Sequence, residues 1–329
     1  MVVLPWKRGK RYPHVKEGKG KISNKTNGEN DSDRTRVAIT GTGGRLGGAL
    51  ARIYSEFADV VRLARSSLDL RDGDTVRDTI SALPFDVLIN PAAMTSVDQC
   101  ESEVDAARAV NTEAPRIMAS ICREREARFI HVSTDYVFDG KSPGLRSETD
   151  LPNPFGVYGQ TKLAGELAVL EEDPSALVVR TSWVFGPERP AFPDSIVKRA
   201  LVQDRVEAIA DKWSAPTYSD DFAGWLVPLL DPRSVSGLLH LCNSGACSWQ
   251  EYGQVALDVA SELGLNLKTR KVEPLLLRDM TQFVVPRPVH TAMDLERYGS
   301  LGFGVPRSWD ESLGDYLRRQ VKAGVFDPK

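Results

Sequence analysis

Residues 36–48, RVAITGTGGRLGG, constrain the architecture of this chain more than any other stretch. A β-branched run ending at Thr40 passes directly into a loop with glycines at 41, 43, 44, 47 and 48, and ALARIYSEF follows with helical spacing. Glycines at a strand-to-helix junction let the backbone turn tightly and approach a diphosphate, while the helix N-terminus offers unpaired N–H groups and a favourable dipole. A strict G-x-G-x-x-G read from Gly41 fails at Leu46, yet the spacing Gly41, Gly44, Gly47 fits a related dinucleotide loop. The segment predicts an α/β fold: a Rossmann-type, doubly wound parallel sheet with a smaller C-terminal substrate-binding subdomain.

The rest of the chain agrees in period. Short apolar runs at Arg36–Thr40, Val60–Leu63, Val87–Asn90, Phe129–Val132 and Ala176–Arg180 alternate with longer stretches such as Asp105–Arg125, whose apolar residues recur every three or four positions. This divides the chain into a dinucleotide-binding part over 35–180 and a mainly substrate-binding part over 181–329, with segments near 205–242 returning to the first. Residues 1–34 have no such period and hold nine Lys/Arg against four Asp/Glu, which predicts a disordered basic tail. With the overall charge of −3, residues 35–329 then carry −8, so the folded part has no basic groove for nucleic acid. Four scattered cysteines and four histidines suggest neither a disulfide framework nor a metal site. The absence of a long apolar run or of a secretory segment leads to the expectation of a cytoplasmic protein without membrane contact.

Two further patterns carry chemistry. An acid at the end of the second strand bonds a ribose 2′-hydroxyl, whereas an Arg there accommodates a 2′-phosphate. Here the run ends Leu63-Ala64-Arg65-Ser66, and with Arg45 inside the glycine loop two guanidiniums are expected to converge on that phosphate, favouring NADP. Tyr158-Gly159-Gln160-Thr161-Lys162 places a phenol and an amine on one helical face. A cation there is expected to lower the phenol pKa towards that of a working general acid. Ser133-Thr134-Asp135 ends another strand at the sheet's carboxyl edge.

Together with NPAAMTSVDQCE (90–101), VNTEAP (110–115), HVSTDYVFDG (131–140), VYGQTKLAGE (157–166), RTSWVFGP (180–187) and PRPVHTAMD (286–294), these motifs resemble the extended short-chain dehydrogenase/reductases, and within them the dTDP-4-dehydrorhamnose reductase family, over about residues 36 to 320. The resemblance implies hydride transfer from NADPH to C4 of a nucleotide-linked 4-keto-6-deoxy sugar, dTDP-4-dehydro-L-rhamnose going to dTDP-L-rhamnose. It puts Thr134, Tyr158 and Lys162 at the catalytic positions. Gly41, Gly44, Arg45, Leu46, Gly47, Arg65, Asp69, Leu70, Ala92, Ala93 and Thr95, with Tyr158 and Lys162, would line the cofactor. Thr134, Asp135, Trp183 and Arg287 would meet the substrate, Arg287 through its pyrophosphate.

The chain departs from the family at several places. Ala49 stands where relatives with a Mg²⁺-bridged dimer carry Glu, so a bridging metal is not expected, while a homodimer stays open. Gly156 replaces an Asn, 211–217 read DKWSAPT in place of Asp-Gln-x-Gly-x-Pro-Thr, and Ala191-Phe192 replaces Asn-Phe. Two other readings share these motifs. A 4,6-dehydratase would follow the Thr with Asp-Glu, but Asp135 precedes Tyr136. A non-catalytic NADP-binding subunit resembling the methionine adenosyltransferase β subunit would not need the Thr134, Tyr158, Lys162 trio.

Overall fold

The computed structural model describes residues 34–232 and 234–327. The expected basic tail falls outside them except for Arg34, which donates to the Glu56 carbonyl and pairs with Asp59 at 3.7 Å. Five strands form where the apolar runs lie: β1 (Arg36–Thr40), β2 (Asp59–Leu63), β3 (Val87–Asn90), β4 (Arg128–Thr134) and β5 (Leu177–Thr181). With Gly237–His240 they make one parallel sheet, ordered Gly237–His240, β5, β4, β3, β1, β2. A parallel sheet is covered on both faces, and each face here has its own apolar cluster. Val37, Ile39, Ile89, Ile130 and Val179 pack on one side, and Ala38, Leu88, Phe129 and Val178 on the other. The chain leaves β1 for β2 on one side and reaches β3 on the other. That topological switch opens a crevice at the strands' carboxyl ends.

The helices that matter to the crevice are α1 (Arg45–Tyr54), α2 (Gly73–Ala82), α3 (Val97–Ser102), α4 (Val104–Arg108), α5 (Ala114–Glu124) and α6 (Val157–Glu172). The sequence predicts one helix over 105–125, but a π-helical turn at Ala109–Glu113 joins α4 to α5. That turn brings Asn111 to the 90–101 segment, where its amide accepts from Met94 N at 2.9 Å and donates to Met94 O at 3.1 Å and Thr161 Oγ1 at 3.1 Å. Gly165 permits the contact, since a Cβ there would stand 2.1 Å from Asn111 O.

The segment 205–242 divides. Ser219–Leu226 packs on α1, and Gly237–His240 joins the sheet. Val206–Ile209 instead pairs with Val272–Leu275, within a separate apolar cluster that includes Ile196, Tyr252, Leu257 and Leu317.

Candidate active site

A cleft of about 970 Å³ opens over the carboxyl ends of β1, β3 and β4. Its floor is the glycine loop. Gly41 has φ +59°, a region that favours glycine, and a Cβ on Gly47 would lie 2.3 Å from Gly41 O. The loop therefore closes only with hydrogen at both positions. Gly44, the residue before α1, makes no side-chain cap, so the first N–H groups of the helix stay available at the cleft. The arrangement suits a diphosphate.

Of the residues expected from the sequence, Gly41, Gly44, Arg45, Leu46, Gly47, Arg65, Asp69, Leu70, Ala92, Ala93, Thr95, Thr134, Asp135, Tyr158, Lys162 and Trp183 all line this cleft. Arg287 does not. Its guanidinium pairs with Asp98 at 2.6 Å, donates to Val285 O and lies over the Phe283 ring, in a side chain only 9% exposed. This ion pair ties the 283–287 segment to α3 and engages the guanidinium expected at the pyrophosphate.

Arg45 and Arg65 differ in their surroundings. Arg45 donates to the carbonyls of Val184 at 3.0 Å and Pro190 at 2.7 Å, so its guanidinium is occupied by the 184–190 segment. Arg65 stays exposed at the end of β2. Close to it, Asp69 is held at about pKa 2 by its hydrogen-bonded pair with Arg71, 2.5 Å away.

Tyr158 and Lys162 share one face of α6, as their spacing predicts, and both are buried. The first N–H of that helix, on Val157, donates to Glu101 Oε1 at 2.6 Å, an anchor between α3 and α6. Gly156 precedes it at φ +82°, a conformation that Gly adopts without strain. The expected acidification of Tyr158 is not what the structure gives. Burial raises the phenol pKa, and only the Thr134 hydroxyl opposes it. The amine is directed elsewhere: Lys162 Nζ donates to Val132 O at 2.8 Å and lies 3.2 Å from His131 Nε2. Burial also lowers Lys162 to about 8, with Glu166 opposing, so its charge is disfavoured in the same dry surroundings.

Thr134 Oγ1 donates to Asp135 Oδ1 at 3.1 Å and accepts from Tyr136 N at 3.2 Å. The Asp135 carboxylate, fully buried, accepts from Ser214 Oγ at 2.9 Å and Thr291 Oγ1 at 2.5 Å. Burial raises its pKa against these hydrogen bonds and against Lys212. Lys212 stands where the family's Gln is expected; it donates to Pro288 O at 2.8 Å, with its ammonium over the rings of Tyr136 at 5.2 Å and Trp183 at 5.4 Å. Trp183 has φ +42°, a strained conformation for a bulky side chain, and packs on Trp249 with ring centroids 4.9 Å apart.

The sequence reading missed part of the wall. Trp249 and Tyr252 come from the helix Trp249–Glu262, where an i, i+3 aromatic pair is no different from core packing. Trp249 Nε1, Tyr252 OH and Ser133 Oγ are buried without a hydrogen-bond partner among the described residues, and all three residues line the cleft. Buried donors of this kind fit a polar ligand with hydroxyl groups.

Residues 35–321 match the family described as RmlD substrate binding domain. The chain is 37% identical over 302 residues to a dTDP-4-dehydrorhamnose reductase of Mycobacterium tuberculosis, covering 89% of this chain and 95% of that one. It is 32% identical over 290 residues to the spore coat polysaccharide biosynthesis protein SpsK of Bacillus subtilis, covering 88% and 99%. In structure it resembles a dTDP-4-dehydrorhamnose reductase from Bacillus anthracis in complex with NADP, with a TM-score of 0.80, 28% identity, and coverage of 87% and 99%.

Proposed function

Because the chain belongs to the RmlD substrate binding domain family, that of the dTDP-4-dehydrorhamnose reductases, we propose that it is an NADPH-dependent reductase of a nucleotide-linked 4-keto-6-deoxy sugar, converting dTDP-4-dehydro-L-rhamnose to dTDP-L-rhamnose. The observation that carries this reading is the meeting, in one cleft, of the uncapped glycine loop with Thr134, Tyr158 and Lys162. NADPH, when bound, supplies the hydride. The loop Gly41–Gly47 and the start of α1 would hold its diphosphate, and Arg65 its 2′-phosphate. Tyr158 gives its proton to the oxygen on which charge develops, and Thr134 turns its own O–H from Asp135 to that oxygen. A phenol whose pKa burial has raised stays protonated at neutral pH until that charge appears. Trp183, Trp249 and Ser133 face the sugar. The two soluble, charged substrates and the buried, unpaired cysteines 100, 122, 242 and 247 support a cytoplasmic location.

A panel of 4-keto sugar nucleotides tests the assignment. NADPH oxidation with the dTDP-linked substrate, giving rhamnose in the product, is the expected result; a clear preference for another base or hexose would overturn the sugar assignment. Because Arg45 is occupied by carbonyls, discrimination between the two cofactors should rest on Arg65. Arg65→Ala is expected to lose ~1.5–3 kcal/mol of NADPH preference, a charge-assisted contact's worth. The ratio of NADPH to NADH dissociation constants at moderate salt measures this, and an unchanged ratio would rule Arg65 out.

A further inference from the structure

Along a strand every second side chain shares a face. On the face covered by α2, α5 and α6, strands β1, β3 and β4 present Ala38, Leu88 and Phe129 and then, two residues on, Thr40, Asn90 and His131. All three are buried. Thr40 Oγ1 and Asn90 Oδ1 are 2.6 Å apart, Asn90 Nδ2 is 3.2 Å from His131 Nδ1, and His131 Nε2 is 3.2 Å from Lys162 Nζ. A polar row in a dry sheet persists when each member is satisfied and when its end point requires it. The end point here is the catalytic amine.

We infer that His131 is a positioning residue for the reduction: its imidazole, joined through Asn90 to Thr40, holds Nζ of Lys162 in place where that residue lines the cleft. The inference rests on the reductase reading above. Lysine has a flexible four-carbon stem, and the Val132 carbonyl alone leaves Nζ free to swing about one hydrogen bond. The imidazole adds a second anchor, so two of the ammonium's three N–H groups are engaged and one is left for a ligand in the cleft that Lys162 lines. An imidazolium would set an N–H and a second positive charge against Nζ. The charged group that acts on the ring is Lys162 from α6, whose own charge is favoured by Glu166, itself bound to Arg180 of β5. Strands β1 and β3 contribute the uncharged Thr40 and Asn90. Burial and Lys162 both drive the imidazole towards its neutral form. For Nε2 to accept from the Lys162 ammonium, Nδ1 carries the ring proton and the Asn90 amide is turned over, its oxygen accepting from Nδ1 and its NH2 donating to Thr40 Oγ1.

Two variants and one spectrum test this in the full chain. His131→Phe keeps the ring volume and removes both nitrogens; His131→Gln keeps a polar group that can reach Nζ. Losing a hydrogen bond to a charged group corresponds to roughly 10–100-fold, so kcat should fall by that factor in His131→Phe, with the NADPH dissociation constant within about twofold. His131→Gln should recover most of the loss. In ¹⁵N NMR of the ligand-free protein, the His131 imidazole should stay neutral through the range, centred on pH ~6.5, in which an ordinary histidine titrates, and its Nε2 signal should move in Lys162→Met. A His131→Phe enzyme with wild-type kcat, equal losses in the Phe and Gln variants, or a His131 signal indifferent to Lys162→Met would overturn the inference. If wild-type protein reduced no keto sugar nucleotide, the reductase reading would fall instead, and the spectrum would still decide whether His131 holds Lys162.

Discussion

Replacing Tyr158 by Phe should lower kcat by about 10²-fold or more while leaving the NADPH dissociation constant within about twofold, because the lost group acts only as charge develops. The ring is buried, packs edge-on against Tyr136 with centroids 5.5 Å apart, and would keep that packing as Phe. Only the hydroxyl disappears. Folding should therefore be preserved, and the effect should fall on kcat with little change in KM. Since burial raises the Tyr158 pKa, wild-type turnover should show no loss of a phenol proton through neutral pH. The check is steady-state kinetics together with cofactor fluorescence titration; a mutant with near-native kcat would assign the proton to another donor.

The second large effect concerns stability. Arg180 on β5 and Glu166 on α6 form a fully buried pair, with Nε to Oε1 at 2.8 Å and Nη2 to Oε2 at 2.6 Å, each side chain about 1% exposed. Glu166→Ala would leave the guanidinium in apolar surroundings, over the Phe138 ring, with no anion. Breaking such a pair by removing one partner costs about 3–5 kcal/mol, whereas replacing both by apolar residues of similar size is often neutral. Glu166→Ala should thus shift the urea midpoint far down, and the double variant Glu166→Leu, Arg180→Met should recover most of it. A single-variant loss under about 1 kcal/mol would mean that water reaches Arg180. The same mutation removes the negative charge that favours the Lys162 ammonium, four residues earlier on α6, so it should lower the amine pKa further.

What the sequence by itself determined was local in origin. Five of the strands were legible from β-branched runs, because both faces of a parallel sheet are buried. The glycine loop was legible because its turn requires hydrogen at Gly41 and Gly47. Tyr158 and Lys162 were legible as a pair because four residues is one helical turn. What only the tertiary structure decided depends on residues far apart in the chain. Arg45 finds its acceptors at Val184 and Pro190, and Arg287 finds Asp98, so neither is available in the way its residue type suggested. The π-turn at Ala109–Glu113 fits the contact of Asn111 with Met94 and Thr161, which no local period encodes. Trp249 and Tyr252 become cleft wall through the packing of a distant helix. The acidity of Tyr158 was the clearest case: the i, i+4 amine suggested a lowered pKa, but dehydration of the whole site outweighs a neighbour whose own charge the same dehydration disfavours.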